Sequence, residues 1–211
     1  IVKEGLKRIH QTKNIGLKSL IEVNGLEKDS IGAYHIGFVL GPCINAGGRL
    51  DTAKRALELF ASENKESADR LAGDLKALND SRKELTKEGV EEAIRQVLET
   101  GRRSERVLVL YLPDCHESIA GIIAGKVKER FYRPTLVLTD AEEGIKGSGR
   151  SIPGYNMFEE LCKVGDLFTK FGGHPMAAGM SLPKENLQKL RRQLNENCTL
   201  TGEDMVEKLS I

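Results

Sequence analysis

Residues Phe171–Gly179 read FGGHPMAAG and join a glycine pair, a histidine and a run of small residues. Glycine tolerates positive φ and lets a ligand approach the backbone closely. The histidine after the pair can donate a hydrogen bond to an anion or exchange a proton near neutral pH. The stretch fits two structures: an anion site, or a Gly-Gly turn capped by a structural histidine before a tightly packed element. A short motif alone does not separate them.

The composition restricts what the chain can bind and where. The net charge is +1, so anion binding must come from a local arrangement of a few donors. Tryptophan is absent and aromatic residues make up 5%, which disfavours broad base-stacking platforms. The cysteines and histidines show no local metal-ligand spacing, and scattered cysteines suit a reduced, intracellular protein. No apolar run is long enough to cross a membrane, and we expect a cytoplasmic location.

The first hundred residues carry the periodicity of helices. Short amphipathic helices are predicted within Ile1–Phe60, and Gly41-Pro42 is predicted to end one of them. The segment GPCINAGGRL at residues 41–50 would then be a loop. Residues Asn64–Thr100 predict one long helix of roughly 50 Å. Such a polar helix with a narrow apolar stripe is typical of a connection between two lobes.

From residue 101 to residue 198, strand patterns alternate with helix patterns. Arg106–Leu112 and Thr135–Thr139 are short, β-rich apolar runs suited to buried strands. Ile145–Ile152 is predicted to be a strand edge or a turn. Further helices and a last strand are predicted at Ile119–Phe131, Met157–Leu161, Asn186–Asn197 and Met180–Leu182. This alternation predicts an α/β fold with a central sheet flanked by helices.

Two further glycine-rich segments carry candidate anion-binding side chains. In GPCINAGGRL, Arg49 can clamp a phosphate bidentately or pair with a neighbouring carboxylate. In KGSGRS (Lys146–Ser151), Ser148 and Arg150 would project from one face of a strand and form an anion cradle with backbone N–H groups. A flexible basic β-turn is the alternative. The Walker spacing is missing, so no nucleoside triphosphate site is predicted.

The segment Asp114–Gly125, DCHESIAGIIAG, follows the first predicted strand. His116 and Glu117 lie where this strand hands over to a helix, which is the usual ligand-facing end of an open α/β sheet. Alternatively, His116 caps the helix and the small residues only permit helix–sheet packing. We favour a structural role for Glu117 and leave both roles open for His116.

These four motifs, in this order and spacing, resemble the RecJ-type single-stranded-DNA-specific exonucleases of the DHH phosphoesterase superfamily. KGSGRS and FGGHPMAAG are similar to the marks of the DHH-associated domain, and GPCINAGGRL resembles the RecJ pattern GPRINAAGRL. Cys43 replaces the arginine of that pattern and Gly48 an alanine, which puts a role for position 43 in doubt. Many relatives have a glycine where Ser118 stands.

The resemblance implies a domain plan for the chain. Residues 1–62 would be the helical end of a DHH catalytic domain, and residues 63–100 the connecting helix. Residues 101–198 would be the DHH-associated α/β domain, and residues 199–211 a linker toward an absent OB domain. No DHH motif is present, so we expect a chain that is inactive alone and is part of something longer. The longer enzyme would hold Mn²⁺ or Mg²⁺, and we expect this chain to bind no metal.

The resemblance also implies an activity and a set of substrate-binding residues. A metal-activated water would hydrolyse single-stranded DNA from its 5′ end, in DNA repair and recombination. Ser148 and Arg150 would bind the terminal 5′-phosphate with the help of Arg49, and His174 would contact a phosphate near the scissile bond. Gly172 and Gly173 would present His174 and bind substrate with it. In the long helix, the polar residues Asn79 and Arg82 are expected to face the cleft and bind substrate.

Two other functions remain open from the sequence. One is a DHH-type phosphodiesterase for short RNA or cyclic dinucleotides, which shares the Gly-Gly-His element. The other is a non-catalytic nucleic-acid-binding module. For the exonuclease interpretation, we expect single-stranded DNA with a 5′-phosphate as the partner, together with single-strand-binding protein and recombination factors. We expect no membrane.

Overall fold

The computed structural model describes residues 1–27, 30–50 and 52–207. The chain divides into two compact units, Ile1–Glu84 and Leu85–Ile211. Each unit is built around its own buried apolar side chains. Leu20, Leu59 and Leu75 belong to the core of the first unit. The second unit has two apolar clusters, one on each face of its sheet.

The first unit is helical throughout its described residues. Its helices are α1 (Val2–His10), α2 (Ile15–Val23), α3 (Ala33–His35), α4 (Gly41–Leu50), α5 (Lys54–Ala61) and the first part of α6 (Lys65–Glu99). The side-chain oxygen of Asn14 caps α2 by accepting from the Leu17 amide at 2.8 Å. Leu20 and Ile21 are fully buried on this helix. The prediction of short amphipathic helices is confirmed.

Gly41-Pro42 does not end a helix, so that prediction is wrong. Residues Ile36–Leu40 form a π-helical turn that runs directly into α4. A π turn bonds over a longer interval than an α turn and accommodates a proline, which has no amide hydrogen to give to an α-helical ladder. A Cβ at Gly41 would lie 2.8 Å from the Ile36 carbonyl oxygen. Glycine therefore serves close packing at this position and not a turn.

The long helix predicted at Asn64–Thr100 is confirmed as α6, Lys65–Glu99. Asn64 caps its start: the side-chain oxygen accepts from the amides of Glu66 and Ser67 at 2.8 and 3.2 Å. Ala68, Ala72 and Leu75 of α6 lie in the core of the first unit, whereas Ala93 and Val97 lie in a cluster of the second. The helix is therefore shared by both units.

The second unit is an α/β domain. Its elements are β1 (Leu108–Tyr111), α7 (Glu117–Phe131), β2 (Thr135–Asp140), β3 (Ile145–Arg150), α8 (Met157–Cys162), β4 (Lys170–His174), β5 (Ala177–Leu182) and α9 (Leu187–Asn197). The sheet order is β1-β2-β3-β5-β4. β1 and β2 are parallel and joined by α7, and the other neighbours are antiparallel. The predicted fold class is confirmed.

β3 lies inside the sheet, between β2 and β5, and is not the edge or turn expected from KGSGRS. The glycines that suggested a turn have a packing role here. A Cβ at Gly147 would lie 2.1 Å from the Val137 carbonyl oxygen, and one at Gly149 would lie 3.1 Å from the Met157 side chain. An interior strand with so little side chain reads as a loop when the sequence is seen without its neighbours.

Alternate residues of the sheet face two different layers, as the strand period requires. Leu136, Leu138 and Met180 pack with α8 and α9 in one apolar cluster. Leu108 and Val137 face the other way and pack with α7. On this second face, α7 packs against β2 and β3. Over β5 and β4 on this face, a Cβ at Gly179 or at Gly172 would meet no described atom within 4 Å.

The outer edge of β1 is occupied by side chains. Asn195 Nδ2, Arg191 Nε and Gln96 Nε2 donate to successive outward carbonyls of this segment at 2.9, 2.9 and 2.8 Å. The accepting carbonyls are, in the same order, those of Val107, Val109 and Tyr111. These bonds block the pairing of a further strand at this edge.

Candidate nucleic-acid interface

FGGHPMAAG forms a β-hairpin, β4 and β5, and not the Gly-Gly turn that was one of its two interpretations. Gly172 and Gly173 lie within β4, and the chain reverses at Pro175-Met176. His174 closes the end of β4, where its Nδ1 accepts from the Met176 amide at 3.3 Å. The imidazole is exposed. The hairpin places it at the end of the sheet with its ring available to a ligand.

The sheet register brings the predicted site residues of the second unit into two rows. Ser148 pairs with Gly179, which pairs with Gly172. In the next row, Arg150 pairs with Ala177 and then with His174. Directly opposed residues of antiparallel strands project to the same side of a sheet. All of these positions therefore share the face that α7 covers only in part.

Glycines on the two sides of the hairpin have different surroundings. A Cβ at Gly172 or Gly179 would meet nothing within 4 Å. A Cβ at Gly173, on the opposite face, would lie 2.4 Å from the Ala177 carbonyl oxygen. Packing thus explains Gly173 and not the other two. We call the surface formed by Lys170, Gly172, His174, Ala177, Gly179 and Ser181 the open face.

The open face is bordered by α7 and β3, which hold Arg150. A Cβ at Gly121 of α7 would lie 2.6 Å from Arg150 Nη2 and 3.3 Å from the Ser148 Cβ. The missing side chain at Gly121 leaves room for the guanidinium beneath the helix. Arg150 Nη1 also donates to the Gly149 carbonyl at 2.8 Å. The half-buried guanidinium is therefore held in place beside the open face.

The first turn of α7 has structural roles. His116 is the N-cap: its Nδ1 accepts from the Ser118 amide at 3.3 Å and lies 2.7 Å from Ser118 Oγ. Glu117 forms an ion pair with Lys146 at 2.9 Å, and the carboxylate raises the pKa of the lysine. The capping interpretation of His116 and the structural role favoured for Glu117 both agree with these contacts.

Within the first unit, Asn79 and Arg82 are in contact on α6. Asn79 Oδ1 accepts from Arg82 Nε at 3.2 Å and from Nη2 at 3.0 Å. That Asn79 faces the cleft stays a prediction, and its side chain is only 2% exposed to solvent. Its amide instead holds the guanidinium in one orientation. This is a positioning role that the sequence alone did not indicate.

Cys43 takes part in the same chain of contacts. Asn79 Nδ2 donates to Cys43 Sγ at 3.5 Å, and the thiol donates to Asn24 Oδ1 at 3.6 Å. Burial raises the pKa of the thiol, which keeps it protonated and able to donate. The cysteine that replaces the arginine of the RecJ pattern therefore has a structural role in orienting Asn79.

Arg49 lies in the last turn of α4 and not in a loop before a helix. Its positive charge acts on Arg82: burial first, and then the repulsion from Arg49, lower the pKa of the Arg82 guanidinium. Two guanidinium groups whose charges repel each other favour a nearby anion. The first unit therefore brings together Arg49, Asn79 and Arg82, and the second brings together Ser148, Arg150 and the Gly172–His174 segment.

Metal-binding groups are a separate matter. Within residues 1–27, 30–50 and 52–207, no three or more His, Cys, Asp or Glu side chains are grouped so as to hold a metal ion. The donor set described above consists of guanidinium, amide, hydroxyl and imidazole groups. These suit phosphate oxygens better than divalent cations. The described residues therefore do not fit a metal centre. Likewise, no described helix is long and apolar enough to span a membrane.

A comparison with protein families matches residues 104–199 to the DHHA1 domain. The range covers the whole sheet with α7, α8 and α9. It also contains the candidate residues Ser148, Arg150 and His174.

Relatives with known names carry the assignment further. The chain is 41% identical over 206 residues to the single-stranded-DNA-specific exonuclease RecJ of Bacillus subtilis, covering 96% of this chain and 26% of the relative. Crystal structures of Thermus thermophilus RecJ with Mg²⁺ and with Mn²⁺ match with TM-scores of 0.81 and 0.80. Their sequences are 29% and 30% identical to this chain. Each match covers 92% of this chain, and 30% and 28% of the respective RecJ chains. Over nearly its whole length the chain is similar to these RecJ proteins, and it spans about a quarter to a third of their length.

Proposed function

We propose that this chain is the strand-binding portion of a 5′-to-3′ exonuclease specific for single-stranded DNA. The open face would receive the sugar–phosphate backbone, with Ser148 and Arg150 on the terminal 5′-phosphate and His174 on a following phosphate. Contacts of this kind position a strand without reading its bases. The whole activity would belong to the longer protein, whose relatives carry the name of this exonuclease.

The observation that carries the proposal is the pair Gly172 and Gly179. They oppose each other across two strands, and space is open above both. Glycine inside a strand costs strand stability, so a role for close approach by a ligand accounts for the bare backbone here. Arg150 and His174 lie in the adjacent row of the same face. Donors beside a smooth backbone surface fit a phosphodiester chain.

In the first unit, we propose that Arg49 and Arg82 bind phosphate as well, with Asn79 as the positioning residue. The proposal rests on the repulsion that Arg49 exerts on Arg82 and on the bonds that fix Arg82. We also propose that the longer protein uses Mg²⁺ or Mn²⁺, since structures of Thermus thermophilus RecJ hold these ions. We also propose a cytoplasmic site of action, with single-strand-binding protein and recombination factors as partners.

The direct test is binding of 3′-labelled single strands by fluorescence anisotropy. We expect the chain to prefer a 5′-phosphorylated strand over the same strand with a 5′-hydroxyl. Arg150→Ala should remove that preference and weaken binding of the phosphorylated strand by about tenfold, which is the loss of one charge-assisted contact. Arg192→Ala is the matched control, since Arg192 is an exposed arginine of α9 paired with Glu196. Equal affinity for both strands in the unaltered chain would refute the 5′-phosphate assignment.

A hydrolysis assay tests the other half of the proposal. The chain alone, given Mn²⁺ and a 5′-phosphorylated strand, should release no mononucleotides. Robust hydrolysis would show that a catalytic centre lies within these residues. Dinucleotides and short RNA belong in the same anisotropy series, because tighter binding of these than of long single strands would favour the phosphodiesterase alternative.

A further inference from the structure

A second group of basic side chains lies in the α/β unit, away from the open face. Arg103, Arg130 and Arg133 line one cavity of about 240 Å³, together with four apolar residues. The apolar residues are Val97, Leu108, Phe131 and Met205. We call this cavity the arginine pocket. No carboxylate lines it, whereas the larger cavity beside α9 has Glu105 and Glu196 among its arginines.

Only part of this positive charge is explained by the fold. Arg133 Nη1 donates to the carbonyls of Phe131, Tyr132 and Met205 at 3.0 to 3.1 Å, which covers the carbonyl end of α7. Arg130 stands in the last turn of α7, where a cation is favourable. Neither of these structural roles explains the positive charge of Arg103. Neither Arg103 nor Arg130 forms an ion pair with any residue of the described ranges.

The guanidinium of Arg133 is also incompletely bonded. Its Nε is buried and has no hydrogen-bond partner among the described residues. Burial lowers the pKa of this side chain, with no neighbouring carboxylate acting against the effect. Three like charges around one small, polar cavity repel one another, and a bound anion would relieve the repulsion. Guanidinium groups suit oxyanions with several acceptor oxygens.

We propose that the arginine pocket is a second phosphate-type oxyanion site. Arg103 and Arg130 would supply the exposed donors, and Arg133 would form its inner wall. The pocket lies at the same end of the sheet as His174, because Leu108, Thr135, Arg150, Ala177 and His174 are in register across the strands. Four strand spacings put Leu108 about 19 Å from His174. The phosphate would come either from free phosphate or from the backbone of a bound single strand.

The test is a titration of the 211-residue chain with inorganic phosphate, followed through the backbone amide NMR signals of Phe131 and Tyr132. We expect saturable shifts in the unaltered chain. In the double variant Arg103→Gln, Arg130→Gln, the affinity reported by these signals should fall by at least about tenfold. Arg133 is left intact because its contacts stabilise the end of α7. Arg192→Gln should stay within about twofold of the unaltered chain.

Two further arms separate the sources of the phosphate and the two sites. If the ligand is a strand, the double variant also binds a 5′-phosphorylated oligonucleotide more weakly, and phosphate competes with that oligonucleotide. If the ligand is free phosphate, oligonucleotide affinity is unchanged while phosphate affinity falls. Arg150→Ala should leave the Phe131 and Tyr132 response intact, so failure at the open face is distinguishable. Absence of shifts in the unaltered chain, or equal affinity in the double variant, would overturn the arginine pocket as a site.

Discussion

Gly121 determines where the guanidinium of Arg150 can lie. A methyl group at this position would stand 2.6 Å from Nη2, and the flexible end of the arginine would have to move. Gly121→Ala should therefore keep the free energy of unfolding within about 1 kcal/mol, since alanine also favours the helix. Affinity for 5′-phosphorylated strands should fall by about tenfold. Thermal unfolding and anisotropy measure the two effects.

Gly125 gives a matched control on the same helix. Nothing lies within 4 Å of its missing Cβ. Gly125→Ala should stabilise the chain by about 0.5–1 kcal/mol through helix propensity, without a change in strand affinity. Equal loss of affinity in both variants would show that the position of Arg150 is not what Gly121 protects.

Cys115 is the residue for which the structure gives a pH-dependent expectation. Burial raises its pKa to about 11. The thiolate is the reactive form, and it gains population only as the pH rises toward that value. At pH 8, about one thiol in a thousand is ionised. Alkylation of Cys115 should therefore be slow at pH 8 and should accelerate about tenfold per pH unit up to pH 10.

Mass spectrometry after timed iodoacetamide labelling follows each cysteine separately. Cys162 is exposed and serves as the accessible reference, while Cys43 and Cys198 are buried. We expect Cys162 to be modified first. Labelling of Cys115 at the rate of Cys162 at pH 8 would contradict the burial of its thiol.

At the scale of the element, neighbouring glycines of the β4–β5 hairpin have different roles, one in packing and the other in the proposed binding of a strand. Gly172 and Gly173 are neighbours with opposite surroundings: open space over the first, and the Ala177 carbonyl oxygen 2.4 Å from a Cβ on the second. Gly172→Val should hold or raise stability, by up to about 1 kcal/mol, because a β-branched residue suits a strand. It should also weaken strand binding by about tenfold or more, because the side chain blocks the backbone.

Gly173→Ala should do the reverse. Its methyl group meets backbone atoms that cannot move independently of the hairpin. We expect a loss of about 2–3 kcal/mol in the free energy of unfolding, measured by urea denaturation. If Gly172→Val retained full affinity for single strands, the open face would not be the path of the backbone.

The same elements show what could be predicted from the sequence. The predicted ends of α6 lie within one residue of the observed ends. Asn64 is a strong cap, and the apolar stripe continues through the helix without a proline. Gly41 was interpreted as the end of a helix, and a turn was one of two interpretations of the Gly172-Gly173 pair, yet these residues lie in a helix and in a strand. In each case the missing side chain makes room for a neighbouring group or leaves a surface bare, and neither is visible in local sequence.

For the candidate site residues, the strand face could be predicted from the sequence, but the arrangement of the strands could not. Ser148 and Arg150 are assigned to one face by the strand period alone. Their alignment with Gly172 and His174 depends on β5 lying between β3 and β4, an order that the sequence does not give. The burial of Asn79 could not be predicted, because a polar residue on a charged helix normally faces solvent, whereas here its amide contacts Cys43 and Arg82.

At the scale of the whole chain, the two units have separate apolar cores. The first core takes its members from residues 9–78, and the clusters of the second unit take theirs from residues 90–205. Leu75 and Leu138 are both fully buried, one in each unit. Either residue mutated to alanine should cost about 2–5 kcal/mol through lost burial and the cavity left behind.

Because no side chain is shared between these cores, we expect each substitution to act on its own unit. Leu75→Ala should accelerate hydrogen exchange in peptides from residues 15–60 and leave residues 107–198 near their original rates. Leu138→Ala should do the opposite. Parallel acceleration of all peptides in either variant would instead mean that α6, the element common to both units, makes them unfold as one.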